Sequence, residues 1–365
     1  MEVNEIKKII ISRTDKIGDL LLSIPSFFMA RKMFPNAEIM ILVRNYNYEI
    51  VKNLPYIDRI IKIDDYSEKE LENEIKSFNA DIFIALYNDK IISKLARKSG
   101  ASYRVGPISK IYSIFSFNKG VWQKRSHSIK NEAEYNLDLI RKIDPKRYDE
   151  VFEINSKIYL EQENIDVANM YIDKNKISGK VLVVNPFMGG SAKTITDEQY
   201  QNLLQKIYDR RGDISIIIAC HISEKERAEK ILKGIDREKI YVFANEGSVL
   251  NLAGIIDKAT VYLGGSTGPT HLAGALEKNI VAIYPNKKTQ HPIRWGVINN
   301  KNVKYIFRGL DYKMINKDFD FLSYDSYPTY LYDENIFNDY KYWWNRDIFP
   351  TISFFIWIDC HYIFF

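Results

Sequence analysis

The chain has 365 residues, 46% of them apolar, with 52 Lys and Arg against 47 Asp and Glu and a net charge of +5. This excludes a disordered chain and exceeds the usual size of one domain, so two globular domains are expected. Two cysteines, Cys220 and Cys360, sit in no metal-ligand spacing and exclude both a disulfide scaffold and a zinc module. The opening residues MEVNEIKKIIISRTDKIGD carry no apolar leader run, so a cytoplasmic protein is expected.

Taken in order, Ile9-Ile10-Ile11 is a short continuous apolar run suited to a central parallel strand, followed by the polar loop Ser12 to Lys16. Gly18-Asp19 opens a helix running to Phe34, and Pro25 inside it implies a kink or a late start. Glu38 to Val43 is the next strand. Residues 49 to 63 read as a short helix, a turn at Pro55 and a third strand. Ser67 to Phe78 is an acidic amphipathic helix, and Asp81 to Leu86 a strand. Asp19 thus stands at a strand's carboxyl end in the first turn of a helix, where α/β folds gather ligands; as a bare residue it serves equally as a helix cap. Arg13 and Asp15 share its loop.

From Lys90 to Lys130 there is no Asp or Glu, while Lys90, Lys94, Arg97, Lys98, Arg104, Lys110, Lys119, Lys124, Arg125 and Lys130 are present. Solvated faces ordinarily mix both signs, so this block reads as a surface for an anionic partner. Interleaved Tyr103, Tyr112, Phe115, Phe117 and Trp122 suit a membrane interface. No nucleic-acid-binding motif accompanies the block, and no nucleic-acid partner is expected.

Glu132 to Ile140 is an amphipathic helix, Asp144 to Asn164 reads as a crossing of low order with the domain boundary there or slightly beyond, and residues 165 to 176 are helical and fit either side. The second half begins with the strand Val181 to Val184, leads through Asn185 to Lys193, and continues into the helix Asp197 to Tyr208. It proceeds through a strand at Ile214 to Ala219, a helix at His221 to Lys233, a strand at Ile240 to Phe243 and a helix at Ser248 to Ile256. Glu224 lies near the end of the second strand of this half, where doubly wound folds often place a carboxylate on ribose hydroxyls. Lys193 is either an exposed loop lysine or a charge poised at the mouth of a ligand loop.

Ala259 to Pro285 combines a strand, the turn Gly264-Gly265-Ser266-Thr267-Gly268 and a helix opened by Pro269. Proline suits the first helical turn, Ser266 or Thr267 can cap it, and the glycines allow a phosphate to approach main-chain amides. His271 falls in the first turn beside such an anion; a lone histidine there is also a common packed residue. The stretch after Lys317 is rich in aromatic residues and ends nearly without charge; Asp318-Phe319-Asp320 within it spells a D-x-D pattern taken as chance.

Four separated segments, ISRTDKIGDLLLSIPSFFMARKMFPNAEIMILV with LPYIDRIIKID after it, the loop ending at Lys193, STGPTHLAGAL, and TQHPIRWG, resemble in order the motifs of glycosyltransferase family nine, the ADP-heptose lipopolysaccharide heptosyltransferases. The resemblance spans about residues 7 to 310; where many members carry Asp, this chain has Ser266. It implies an α/β GT-B fold, two Rossmann-like domains facing a cleft, here placed at residues 1–165 and 176–316 with an aromatic tail at 317–365. It implies Asp19 as the general base, and Lys193, Ser266, Thr267, Gly268, His271 and Glu224 on the donor, expected to be ADP-heptose. Arg13, Asp15, Arg104, Lys124 and Arg125 fall on the side of an anionic glycolipid acceptor, the lipopolysaccharide core, with peripheral contact at the cytoplasmic face of the inner membrane. No metal and no further cofactor are expected. A GT-B transferase using another nucleotide sugar, an epimerase and a membrane-associated binding protein without catalysis are the alternatives.

Overall fold

Continuous β-branched runs such as Ile9-Ile10-Ile11 and Val181 to Val184 are apolar on both faces, and such strands find cover only inside a parallel sheet flanked by helices. The computed structural model describes residues 6–188, 195–210, 213–235, 238–285 and 287–308, and it contains two such sheets. The first is formed by β1 (Lys8–Ser12), β2 (Glu38–Val43), β3 (Arg59–Lys62), β4 (Ile82–Ala85), β5 (Tyr103–Pro107) and β6 (Lys119–Val121) in the order β3-β2-β1-β4-β5-β6. The second is formed by β7 (Lys180–Asn185), β8 (Ile214–His221), β9 (Ile240–Asn245), β10 (Val261–Gly265), β11 (Asn279–Pro285) and β12 (Val303–Arg308) in the order β12-β11-β10-β7-β8-β9. All pairings are parallel, for example Ile10 opposite Met40 and Phe83, and Leu263 opposite Val184 and Val281. The orders match: the first strand of each half lies at the centre of its sheet, with later strands added on either side. This is the doubly wound arrangement, whose ligand crevice lies beyond the carboxyl ends of the central strands.

Each half has its own core. In the first, Ile10, Met40, Leu42 and Phe83 meet Leu71, Ile75 and Phe78 of the helix Glu68–Phe78. In the second, Leu182, Val184, Ile216, Ile218, Leu263 and Ile283 meet Tyr200, Leu203 and Leu204 of the helix Asp197–Arg210. Ser67 accepts from the amide of Glu70 and the Glu70 carboxylate accepts from that of Ser67, a capping box that fixes the start of the acidic helix where the sequence places it.

Three elements differ from expectation. The helix expected from Gly18 to Phe34 is two helices, Ile17–Leu21 and Ile24–Met33, with Pro25 in the first turn of the second, where a missing N–H leaves no bond unmade. The stretch expected to be of low order after Asp144 contains the helix Pro145–Val151: the Asp144 carboxylate caps it by accepting from the Arg147 amide at 3.0 Å. Only Tyr148 of that helix is buried, so it leaves no apolar stripe to read. β12 was not anticipated: it is an edge strand in which Val303, Tyr305 and Ile306 are buried but Lys304 interrupts the apolar run.

Residues expected to be helical at 165–176 form the helix Gln162–Lys174, which packs on the second half. Asn164 donates to Oδ1 of Asn251 at 2.9 Å, and the Tyr171 and Phe243 rings meet edge to face at 5.0 Å. Residues 309–365, with Asp318 to Asp320 and the aromatic tail, lie outside the described residues.

Candidate active site

The two halves meet along a cleft that encloses a cavity of about 1000 Å³, at the upper end of the volumes that hold small ligands. The loop after β1 and the helix Ile17–Leu21 form one wall, contributing Lys16, Ile17, Gly18 and Asp19; Ser266, Thr267, Gly268, Pro269 and His271 form the facing wall. The approach is close because two glycines face one another. A methyl group on Gly18 would lie 3.1 Å from Cδ2 of His271 and 3.9 Å from Cα of Gly268; one on Gly268 would lie 3.3 Å from Cγ2 of Ile17. Side chains at both positions would push the two walls apart.

On the wall facing Asp19, β10 ends at Gly265 and the helix Gly268–Ala275 begins three residues later, with Thr267 extended at its N-cap. Thr270 donates its hydroxyl to the carbonyl of Gly265, which clamps the turn, so the positive end of the helix dipole is directed at the cavity. His271 is 7% exposed, and burial pushes its imidazole down to about 4, so it is neutral at physiological pH. Its Nδ1 meets no hydrogen-bond partner among the described residues. A neutral ring in that position can donate to or accept from a ligand without adding charge.

Asp19 of the opposite wall sits in a buried charged network. Arg13 donates from Nη2 to Oδ1 of Asp19 at 2.8 Å, from Nε and Nη2 to Asp15 at 2.6 and 2.9 Å, and from Nη1 to Oδ1 of Asn136 at 3.0 Å. Burial raises the Asp19 carboxyl to about 6; Arg13 opposes the rise, and the neighbouring charges of Asp15 and Glu132 add to it. A carboxylate titrating near 6 is ionised at neutral pH yet basic enough to accept a proton from a bound hydroxyl.

Beneath Asp19, Glu132 is 1% exposed and accepts from Arg13, Arg125 and Arg294. Burial alone would push its carboxyl up, but these three guanidinium groups together hold it below its ordinary value. Arg294 belongs to the second half, stacks on Trp295 at 4.4 Å and donates to Glu132 Oε2 at 3.1 Å. Trp295 in turn lines the cavity, so a chain of contacts runs from the ligand wall of one half to the carboxylate of the other.

Among the residues expected at the site, the structure brings Asp19, Glu224, Ser266, Thr267, Gly268 and His271 to one cavity. Lys193 lies outside the described residues. Of the residues expected on the acceptor side, Arg13, Arg104 and Arg125 turn inward. Arg13 is 1% exposed within its network. Arg104 donates to the carbonyls of Ser116 and Ala101, and Arg125 to the carbonyl of Leu86 and to Glu132. A guanidinium with five donors suits bracing of this kind as well as it suits a ligand anion. Asp15 is held by Arg13, and its carbonyl accepts from Tyr46 and Asn47; Lys124 is exposed outside the cavity wall. Sequence reasoning did not select the cavity residues Tyr46, Asn185, His221 or Trp295. Asn185 and His221 end β7 and β8, where the rule of strand carboxyl ends would have found them; Trp295 stood in a quoted motif without a role. Among the described residues no cluster of His, Cys, Asp or Glu has the makings of a metal site.

Two doubly wound halves, with a carboxylate on one wall of their cleft and a helix N-terminus on the other, make up the GT-B arrangement. More particularly, the chain belongs to glycosyltransferase family 9. The model of that family, described as "Glycosyltransferase family 9 (heptosyltransferase)", matches residues 71–313. A Haemophilus influenzae protein named "Putative glycosyltransferase" is 30% identical over 311 residues, 80% of this chain and 87% of its own length. Lipopolysaccharide heptosyltransferase 3 of Escherichia coli is 20% identical over 73% of this chain and 79% of its own. In fold, the chain is similar to a family 9 glycosyltransferase from Veillonella parvula, with a TM-score of 0.74 at 18% identity over 88% and 90% of the two chains.

Proposed function

We propose that the chain moves a heptose from ADP-heptose to a hydroxyl of a lipopolysaccharide or lipooligosaccharide core acceptor, with inversion at the anomeric carbon. The observation that carries this reading is the placement of Asp19 opposite the N-terminus of the helix Gly268–Ala275 across one cavity. Family membership and the likeness to an E. coli heptosyltransferase solved with ADP support the choice of donor.

The diphosphate lies at the start of the Gly268 helix, where the dipole and main-chain amides stabilise the charge that grows on ADP as it leaves. The family resemblance assigns Lys193 as a cation beside that diphosphate, and Glu224 holds the ribose hydroxyls. Asp19 takes the proton of the acceptor hydroxyl as its oxygen bonds to the anomeric carbon from the opposite side. The bond between that carbon and the diphosphate oxygen breaks, and its electron pair leaves with ADP. Asp19 then carries the proton. Arg13 keeps the carboxylate aimed, and neutral His271 completes the wall between sugar and helix. The work takes place at the cytoplasmic face of the inner membrane, where the acceptor is held.

Calorimetric titration with ADP, UDP, GDP and CMP is the first test. Selective ADP binding, followed by release of ADP when ADP-heptose and a core acceptor are mixed with the protein, is the expected result. A preference for UDP or GDP would overturn the donor and leave a family 9 transferase of another nucleotide sugar.

A further inference from the structure

The connection between β5 and β6 carries the short helix Ile111–Ile114 and exposes apolar surface: Ile111 is 83% exposed, Ile114 51% and Phe115 79%. Spacings of three and four put these side chains on one face of a helical turn. Single exposed apolar residues are ordinary, but three on one face, with Trp122 62% exposed at the end of β6, mark a surface that expects a partner. The ends of the connection are fixed. Phe117 is buried, and a methyl group on Gly106 would lie 2.7 Å from its ring; Ile108 donates its amide to the carbonyl of Val121 at 3.1 Å. The tip is therefore held with its apolar face outward.

Its surroundings select the partner. The segment from Lys90 to Lys130 holds no carboxylate. Lys94 is neutralised by Glu68 and Glu72, and Lys130 by Asp138, whereas Lys119 and Lys124 form no ion pair among the described residues. Lys90, Arg97 and Lys98 line the adjacent helix as further exposed cations. A protein partner for an apolar turn has no need of a rim rich in exposed cations, and a nucleic acid has little use for Ile and Phe. A bilayer of anionic lipids has use for both, with acyl chains for the tip and phosphates for the lysines.

The tip also lies on the catalytic side. The connection leaves the carboxyl end of β5, the same edge of the parallel sheet from which the β1 loop carries Asp19. Arg125, which follows β6, joins Leu86 and Glu132 and through them the Arg13 network.

We propose that the turn from Ile111 to Phe115, with Trp122, inserts into the headgroup layer of an anionic phospholipid membrane while Lys119 and Lys124 rest on lipid phosphates, so that the cleft opens towards an acceptor embedded in the same leaflet. The purpose of this docking rests on the glycolipid acceptor proposed above, but its test uses neither donor nor acceptor and so stands or falls separately.

The full chain is sedimented with vesicles of phosphatidylcholine alone and with added phosphatidylglycerol. Binding is expected only with the anionic lipid, and it weakens with salt. A triple variant, Ile111→Ser with Ile114→Ser and Phe115→Ser, is expected to lose about tenfold or more in vesicle partition, with nucleotide binding by calorimetry unchanged. The double variant Lys119→Glu with Lys124→Glu is expected to lose a similar factor on anionic vesicles. Undiminished sedimentation of the triple variant would overturn the proposal. So would failure of the parent chain to bind vesicles, and light scattering that shows the parent dimeric and the triple variant monomeric would then assign the face to a second copy of the chain.

Discussion

Arg13 donates to Asp19 at 2.8 Å, yet the Asp19 carboxyl titrates above its ordinary range, at about 6. A single guanidinium at that distance would ordinarily lower a carboxyl. The reversal has a cause: burial is the largest influence, and Arg13 is shared among Asp15, Asn136 and Glu132 as well. The sign is therefore set for pH. Sugar transfer is expected to rise with pH through about 6 and to level off near neutrality, as Asp19 loses its proton. Asp19→Asn keeps the shape and removes the base, with an expected loss of about 10²–10⁴ in turnover while nucleotide affinity holds. Because the raised group favours the protonated fold, its contribution to stability is complete below its ordinary pKa and fades as pH rises through about 6. Asp19→Asn should be at least as stable as the parent at neutral pH in denaturant melts; a large loss there would mean that the carboxylate chiefly anchors Arg13.

Glu132 offers a sharper test of how the base is held. Its carboxylate neutralises three buried or half-buried arginines, one from the other half of the chain. Arg13 keeps Asp15 and Asp19, but Glu132→Gln takes from Arg125 and Arg294 the carboxylate they share and should cost about 3–5 kcal/mol of stability, read as a fall in the denaturation midpoint. It also removes a negative charge that raises Asp19, so in folded protein the acid limb of the pH–rate profile should move downward. A purely structural role would lower activity without moving that limb.

What could be read from the sequence follows burial. Central strands announce themselves because both faces are apolar, as in Ile9 to Ile11, and Gly264 to Pro269 is legible because a tight turn before a helix calls for glycine and proline at fixed places. Asp19 is singled out as a base by the family resemblance, because its position at a strand end alone fits a helix cap equally well. The network under it was not legible: Arg13, Arg125 and Arg294 look like solvent-facing or ligand-facing charges in the sequence, and only the fold brings them around Glu132 over separations of 119, 7 and 162 residues. Edge strand β12 escaped for the opposite reason, since Lys304 breaks its run of buried Val303, Tyr305 and Ile306.

Gly18 tests the closeness of the two walls. A methyl group there would meet Cδ2 of His271 at 3.1 Å and Nε2 at 3.6 Å, so the imidazole must yield by a few tenths of an ångström. Gly18→Ala is expected to raise the KM for the sugar donor more than it lowers kcat, at a stability cost of about 1–3 kcal/mol typical of overpacking. Steady-state kinetics separate the outcomes: an unchanged KM with a collapsed kcat would show that Asp19, one residue along, is displaced instead.

The helix Gln162–Lys174 follows the residues of the first half in sequence but packs on the second, and Gly254 is where it does so most closely. A Cβ at Gly254 would lie 2.5 Å from the carbonyl oxygen of Asn164 and 3.3 Å from Cβ of Ala168. The oxygen belongs to backbone within a helix and cannot swing aside as a side chain would, so the two helices must separate. Gly254→Ala removes chain flexibility from the unfolded state and favours the helix, about 1 kcal/mol in its favour, against an overpacking cost of about 1–3 kcal/mol. The balance predicts net destabilisation, seen as a lower melting temperature. The Tyr171 and Phe243 contact and the Asn164 to Asn251 bond flank this point, and both should weaken with it. Gly254 also lies on the helix that begins beside Val249 and Leu252 of the cavity wall, so a loss of nucleotide affinity is expected alongside the loss of stability. If Gly254→Ala instead raises the melting temperature, the two helices are not held at the separation described.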